Sequence, residues 1–122
     1  MFSETLLDHF ENPRNVGELD GPSAVVDVAN PICGDELRLS VRVEDGRLSE
    51  VRYQTRGCAA SIATGSALTE LLAGKSVDEL PAVTSAQIEE AVGGLPSTSK
   101  HAASLGLDAV RALAAALRSR TG

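Results

Sequence analysis

The segment Asn30-Pro31-Ile32-Cys33-Gly34-Asp35 places a soft thiol and a hard carboxylate two residues apart, with a glycine between them. In extended chain, residues i and i+2 project to the same side, so Cys33 and Asp35 can face one target. Pro31 holds Asn30 extended and Gly34 can take a positive φ, which makes this a shaped loop between strands. A second thiol, Cys58, follows Gly57, and an imidazole, His101, lies close behind a run of Ser97, Thr98 and Ser99. Two thiolates, one imidazole and one carboxylate suit tetrahedral zinc or an iron–sulfur unit. These residues are too far apart to form a local Cys-x-x-Cys knuckle, so a shared site depends on what the fold brings together. The plain alternative is that Cys33 is a small buried residue beside a turn-capping Asp35. The same groups would also serve as nucleophile, base and orienter in a thiol enzyme, although no oxyanion motif is readable.

The elements that must position these groups are bounded by composition. At 122 residues and 43% hydrophobic content, the chain suffices for one core and is too short for two domains. Eleven Lys and Arg against 17 Asp and Glu give a formal charge of -6, which argues against nucleic acid as a partner. No apolar run approaches the roughly 20 residues of a membrane span, and Glu4 and Asp8 replace the basic start of a secretory leader. A cytoplasmic protein is expected. Two cysteines are no disulfide framework, and in a reducing compartment they read as ligands or reactive groups. With Phe2, Phe10 and Tyr53 the only aromatics, the core must be aliphatic.

Ser3 to Glu11 reads as a short capped helix stopped by Asn12-Pro13, with Leu6, Leu7 and Phe10 on one side and His9 at the surface. Its apolar face is expected either to dock on the domain or to be presented to a partner, and residues 1–22 are the candidate mobile part of the chain. Asn12 to Pro22 is turn-rich and reads as a linker. Ala24 to Val28 is a predicted strand that ends at the Cys33 loop. Leu37, Leu39, Val41 and Val43 then alternate with polar residues, Asp45-Gly46 makes a tight hairpin, and Val51, Tyr53 and Thr55 alternate on the return. The expected fold class is therefore α+β, a three-stranded antiparallel sheet with one apolar face that helices must cover. Those helices are predicted at Cys58 to Ala73 before Gly74, near Ser85 to Val92, and from about Ser99 to Arg118 with Gly106, Val110, Leu113 and Leu117 inward. Cys58 and His101 then stand at helix starts, where the helix dipole favours negative charge. Arg56 and Lys100 stand close enough in sequence to offset thiolate charge.

Asp8-His9-Phe10-Glu11-Asn12-Pro13-Arg14-Asn15-Val16-Gly17, Cys33-Gly34-Asp35 and Gly57-Cys58-Ala59-Ala60-Ser61 resemble the successive motifs of the IscU/NifU N-terminal family of iron–sulfur cluster assembly scaffolds. The resemblance covers nearly the whole chain in order. It implies one scaffold domain over residues 1–122, a [2Fe-2S] cluster or iron as cargo, and zinc as an alternative occupant. It also implies a cysteine desulfurase as sulfur donor, apo-proteins as acceptors, and the option of a homodimer. Carried over by position, the resemblance makes Cys33, Asp35, Cys58 and His101 the ligand set, with Asp35 either a ligand or a hydrogen-bonding neighbour of one. The family's third cysteine falls at Ala102, which can neither bind metal nor carry a persulfide. The family's Leu-Pro-Pro-Val-Lys is here Leu95-Pro96-Ser97-Thr98-Ser99. Two readings follow: a scaffold or carrier working with a reduced ligand set, or a diverged zinc- or iron-binding homologue that docks on the desulfurase without building clusters.

Overall fold

The computed structural model describes residues 2–31 and 34–121, with side chains as far as Arg118. Three strands, β1 (Ala24–Ala29), β2 (Glu36–Glu44) and β3 (Arg47–Arg56), form an antiparallel sheet in the order β1-β2-β3. Val26, Leu39 and Tyr53 pair across it, as do Ala24, Val41 and Val51, so the alternation in sequence becomes one apolar face. Asp45 and Gly46 both take positive φ, 53° and 75°, the backbone a two-residue hairpin turn needs to match strand twist. The return strand begins at Arg47, earlier than the alternation indicates, because a bulge at Arg42/Val43 interrupts its period.

Helices α2 (Ala59–Leu72) and α4 (Lys100–Thr121) cover that face, α1 (Glu4–Glu11) packs on α2 and α3 (Ser85–Ala91) on both, with a 3-10 helix at Val77–Ala82 between α2 and α3. The 3-10 helix carries a Ser76/Glu79 capping box but contains Pro81, and its short pattern gave no periodic signal to read. Helix α2 is the centre of the packing, buried on almost every side through small residues including Ala60, Ala63, Gly65 and Ala67. Gly65 has a steric reason to be glycine, since a Cβ there would stand 2.6 Å from the Tyr53 ring. The Tyr53 hydroxyl donates to the Ile62 carbonyl at 3.1 Å, which holds the ring in that position. The expected inner stripe of α4 is buried at Val110, Leu113 and Leu117.

Two features of the N-terminal segment differ from the sequence reading. His9 is buried, at 5% exposure, while Leu7 and Phe10 are 42% and 40% exposed. Leu6 and His9 are three residues apart, so they share the inward face of α1, and α2 supplies the polar partners that make burying an imidazole tolerable. His9 Nδ1 lies 2.7 Å from Ser66 Oγ, Nε2 lies 3.4 Å from Glu70 Oε1, and the Arg14 amide donates to the same Ser66 oxygen at 2.9 Å. The turn-rich passage is also more than a linker. The Tyr53 amide donates to the Asn15 carbonyl and the Gly17 amide to the Tyr53 carbonyl, which adds a short parallel bridge at the β3 edge. Glu18 then pairs with Arg38, and the Asp20 carbonyl accepts from Arg42, so the passage crosses the polar face of the sheet.

Candidate metal centre

The sheet ends with Glu36 opposite Arg56, and the next residue outward on each strand is Asp35 and Gly57. The loop before Asp35 closes on itself, with the Asn30 amide donating to the Asp35 carbonyl and the Gly34 amide to the Asn30 carbonyl, both at 2.8 Å. Gly34 takes φ +77°, the conformation expected of it. Cys58 is the N-cap of α2 and His101 is the second residue of α4, entered through a 3-10 turn at Ser97–Ser99. Three element ends therefore meet at one edge of the sheet, and the starts of α2 and α4 bring the positive ends of two helix dipoles to it.

Three of the four sequence-derived candidates come together there. Cys58 Sγ lies 3.6 Å from Asp35 Oδ2 and 3.6 Å from His101 Nε2, and His101 Nε2 lies 3.5 Å from Asp35 Oδ2. Metal–ligand bonds of about 2.0–2.3 Å in a tetrahedral site separate the donor atoms by about 3.3–3.8 Å. The three atoms thus form one face of a tetrahedron of the right size. Asp35 is 6% exposed, His101 is half-buried and Cys58 is exposed. The set is reachable from solvent on its sulfur side and fixed on its carboxylate side. Cys33, the fourth candidate, lies outside the described residues.

Two residues that the sequence reading did not single out for the site shape this centre. Ser61, one turn into α2 from Cys58, donates a hydrogen bond to Asp35 Oδ2, and its oxygen is 3.5 Å from Cys58 Sγ. The i, i+3 spacing of Cys58 and Ser61 was the signal that could have found it. Gly57 presents bare backbone to Asp35, where a Cβ would stand 2.6 Å from the carboxyl carbon. Ala102 is 2% exposed and belongs to the aliphatic core, so it contributes packing to the site and no ligand. Lys100 turns away to pair with Glu89 on α3. Arg56 instead lines an open cleft of about 540 Å³ on the polar face of the sheet, with Asp27, Glu36, Arg38 and Gln54 among its neighbours. That cleft lies beside the donor atoms and does not contain them.

Fold and site together define a small α+β protein with a thiol, an imidazole and a carboxyl group gathered at one sheet edge. The family model described as the NifU-like N terminal domain matches residues 1–122. The iron-sulfur cluster assembly scaffold protein IscU 1 of Archaeoglobus fulgidus is 43% identical over 111 residues, which are 91% of this chain and 72% of that protein. The protein of the same description from Haemophilus influenzae, IscU, is 38% identical over 125 residues, 99% of this chain and 98% of that one. Among solved structures, the N-terminal NifU-like protein of Brucella abortus shares the fold with a TM-score of 0.63 and 22% identity, covering 94% of this chain and 83% of that chain. The chain belongs to the NifU-like N-terminal domain family.

Proposed function

We propose that this chain is an iron–sulfur cluster assembly scaffold or carrier, which holds iron and a [2Fe-2S] cluster as cargo and passes it to apo-proteins. The observation that carries this reading is the tetrahedral face formed by Asp35 Oδ2, Cys58 Sγ and His101 Nε2 at the meeting point of two helix N-termini. Relatives named as cluster assembly scaffolds support it, one of them matched over 98% of its own length. Cys33, on the loop that ends in Asp35, is the proposed fourth ligand. Two thiolates with an imidazole and a carboxylate give two donors to each iron. Replacing thiolate by nitrogen and oxygen donors makes the hold looser, which suits cargo that has to leave. The amides at the starts of α2 and α4 favour the negative charge of a thiolate-bound cluster.

The role is one of binding and transfer, without an enzymatic step of its own. Residues 1–122 act as one scaffold domain in the cytoplasm, with a cysteine desulfurase as sulfur donor and apo-proteins as acceptors. A homodimer would be one source of further ligands. Among the described residues no helix is long and apolar enough to cross a membrane. A second reading is favoured by one specific observation, the buried alanine at position 102 in place of the family's third cysteine. In that reading the same donor set holds a single zinc or iron ion, and the protein docks on the desulfurase without assembling clusters.

The direct test of the site is metal retention in Cys33→Ser, Cys58→Ser, Asp35→Ala and His101→Ala variants after anaerobic loading with iron or zinc. Each cysteine or histidine variant is expected to lose most of its metal while keeping its fold. Full retention by all of them would remove the proposed site.

A further inference from the structure

Ser61 is 4% exposed, and among the described residues the partners of its hydroxyl are two candidate ligands, Asp35 and Cys58. A hydroxyl has one proton to donate, a carboxylate can only accept, and without metal the Cys58 thiol is itself a donor to Asp35 Oδ2 at 3.6 Å. The proton can therefore serve Asp35 or Cys58 at any moment, but not both. Without metal it goes to Asp35 Oδ2, the oxygen that also faces Cys58 Sγ and His101 Nε2. Gly57 packs bare backbone against the same carboxylate and leaves no room for even one added carbon atom. The carboxylate is thus confined by Gly57 and bonded by Ser61, with Oδ2 facing Cys58 Sγ and His101 Nε2. When a metal ion takes Oδ2, the hydroxyl needs only to rotate to reach Cys58 Sγ, 3.5 Å away.

We infer that Ser61 is a positioning residue of this centre, its single proton steadying the Asp35 carboxylate before metal binds and reaching the Cys58 sulfur once that sulfur is a ligand. The inference rests on the metal-site reading proposed above. It assigns Ser61 a task distinct from packing, and Thr64 on the same helix is the natural control. Thr64 is also buried, and its hydroxyl has no hydrogen-bond partner among the described residues.

The test is Co²⁺ titration of the unmodified protein and of Ser61→Ala, Ser61→Thr, Thr64→Ala and Cys58→Ser, read by thiolate-to-cobalt charge-transfer absorption, with a thermal melt of each. The expected result is a cobalt band that Cys58→Ser abolishes and a loss of affinity of about 10- to 100-fold in Ser61→Ala, the range for losing a partner that orients a ligand. The band of Ser61→Ala should also shift, because the bound sulfur has lost its hydrogen bond. Ser61→Thr, which keeps the hydroxyl, should restore affinity and band position, and Thr64→Ala should leave both unchanged. If the unmodified protein shows no thiolate band, the metal-site reading falls and takes the Ser61 role with it. If the band is present and needs Cys58, but Ser61→Ala binds cobalt as the unmodified protein does, the role of Ser61 alone is overturned. Equal weakening in Ser61→Ala and Thr64→Ala overturns it too, since that would be a packing effect.

Discussion

Gly57→Ala displaces Asp35 while leaving every candidate ligand in the chain. A Cβ at position 57 would lie 2.6 Å from Asp35 Cγ, 2.7 Å from Oδ1 and 3.0 Å from Oδ2. Non-bonded carbon atoms settle at about 3.5–4.0 Å, so the carboxylate must retreat by roughly 1 Å. It is not a loose end, because Asp35 is 6% exposed and Ser61 donates to its Oδ2. Overpacking of this kind costs about 1–3 kcal/mol. Gly57 is not among the positive-φ glycines, so alanine recovers about 0.4–1 kcal/mol by restricting the unfolded chain. The net expectation is a loss of about 1–2 kcal/mol, or a Tm lower by on the order of 3–10 °C for a chain of this size. Metal affinity should fall by about 10- to 100-fold as Oδ2 leaves its aim. The decisive assay repeats both measurements in an Asp35→Ala background, where the three carboxyl atoms that the added methyl would strike are gone. There Gly57→Ala should be neutral or slightly stabilising, giving a coupling of about 1–3 kcal/mol between the two sites. Equal effects of Gly57→Ala in the two backgrounds would refute the contact and the reasoning built on it.

Gly65→Ala gains about 0.8–1.0 kcal/mol of helix propensity. It also drives a methyl to 2.6 Å and 2.7 Å from Tyr53 ring atoms. Overpacking at about 1–3 kcal/mol wins, so the denaturant midpoint should fall, and a rise would contradict the packing described. Burial holds the pKa of His9 below its ordinary 6.5, with Arg14 adding to the shift and Glu70 and Asp8 opposing it. The unfolded chain therefore binds the proton at a higher pH than the folded one, and stability contributed by neutral His9 is lost as the pH falls below its ordinary value. A Tm profile taken downward from neutral pH should drop less steeply in His9→Gln than in the unmodified protein, and identical slopes would argue against the buried imidazole.

The β2–β3 hairpin was legible because two signals agree, strict alternation on both strands and a two-residue Asp45-Gly46 turn. The site was legible in a different way. Cys58 and His101 stand at helix starts that periodicity could locate, but their meeting with Asp35 depends on how α2 and α4 cross the sheet, and that is a tertiary fact. Residue types and element ends suggested the grouping, the resemblance strengthened it, and the structure supplied the distances for three of its members. His9 escaped because an imidazole three residues from Leu6 looks like a surface residue until Ser66 and Glu70, more than 50 positions away, arrive as partners. Ser61 and Gly57 escaped for the same reason, since a hydroxyl and a hydrogen atom acquire meaning only from the carboxylate placed against them. The Val77–Ala82 3-10 helix is too short and too interrupted by Pro81 to leave a periodic trace.

The proposal turns on whether a donor set without a thiol at position 102 still carries a cluster. Iron, acid-labile sulfide and zinc per chain should be measured after anaerobic reconstitution of the unmodified protein and of Ala102→Cys. A scaffold or carrier is expected to hold iron and sulfide in equal amounts without the added cysteine, and to lose both in Cys58→Ser. Zinc alone in the unmodified protein, with sulfide appearing only in Ala102→Cys, would contradict the scaffold reading and leave a metal-binding homologue that no longer assembles clusters.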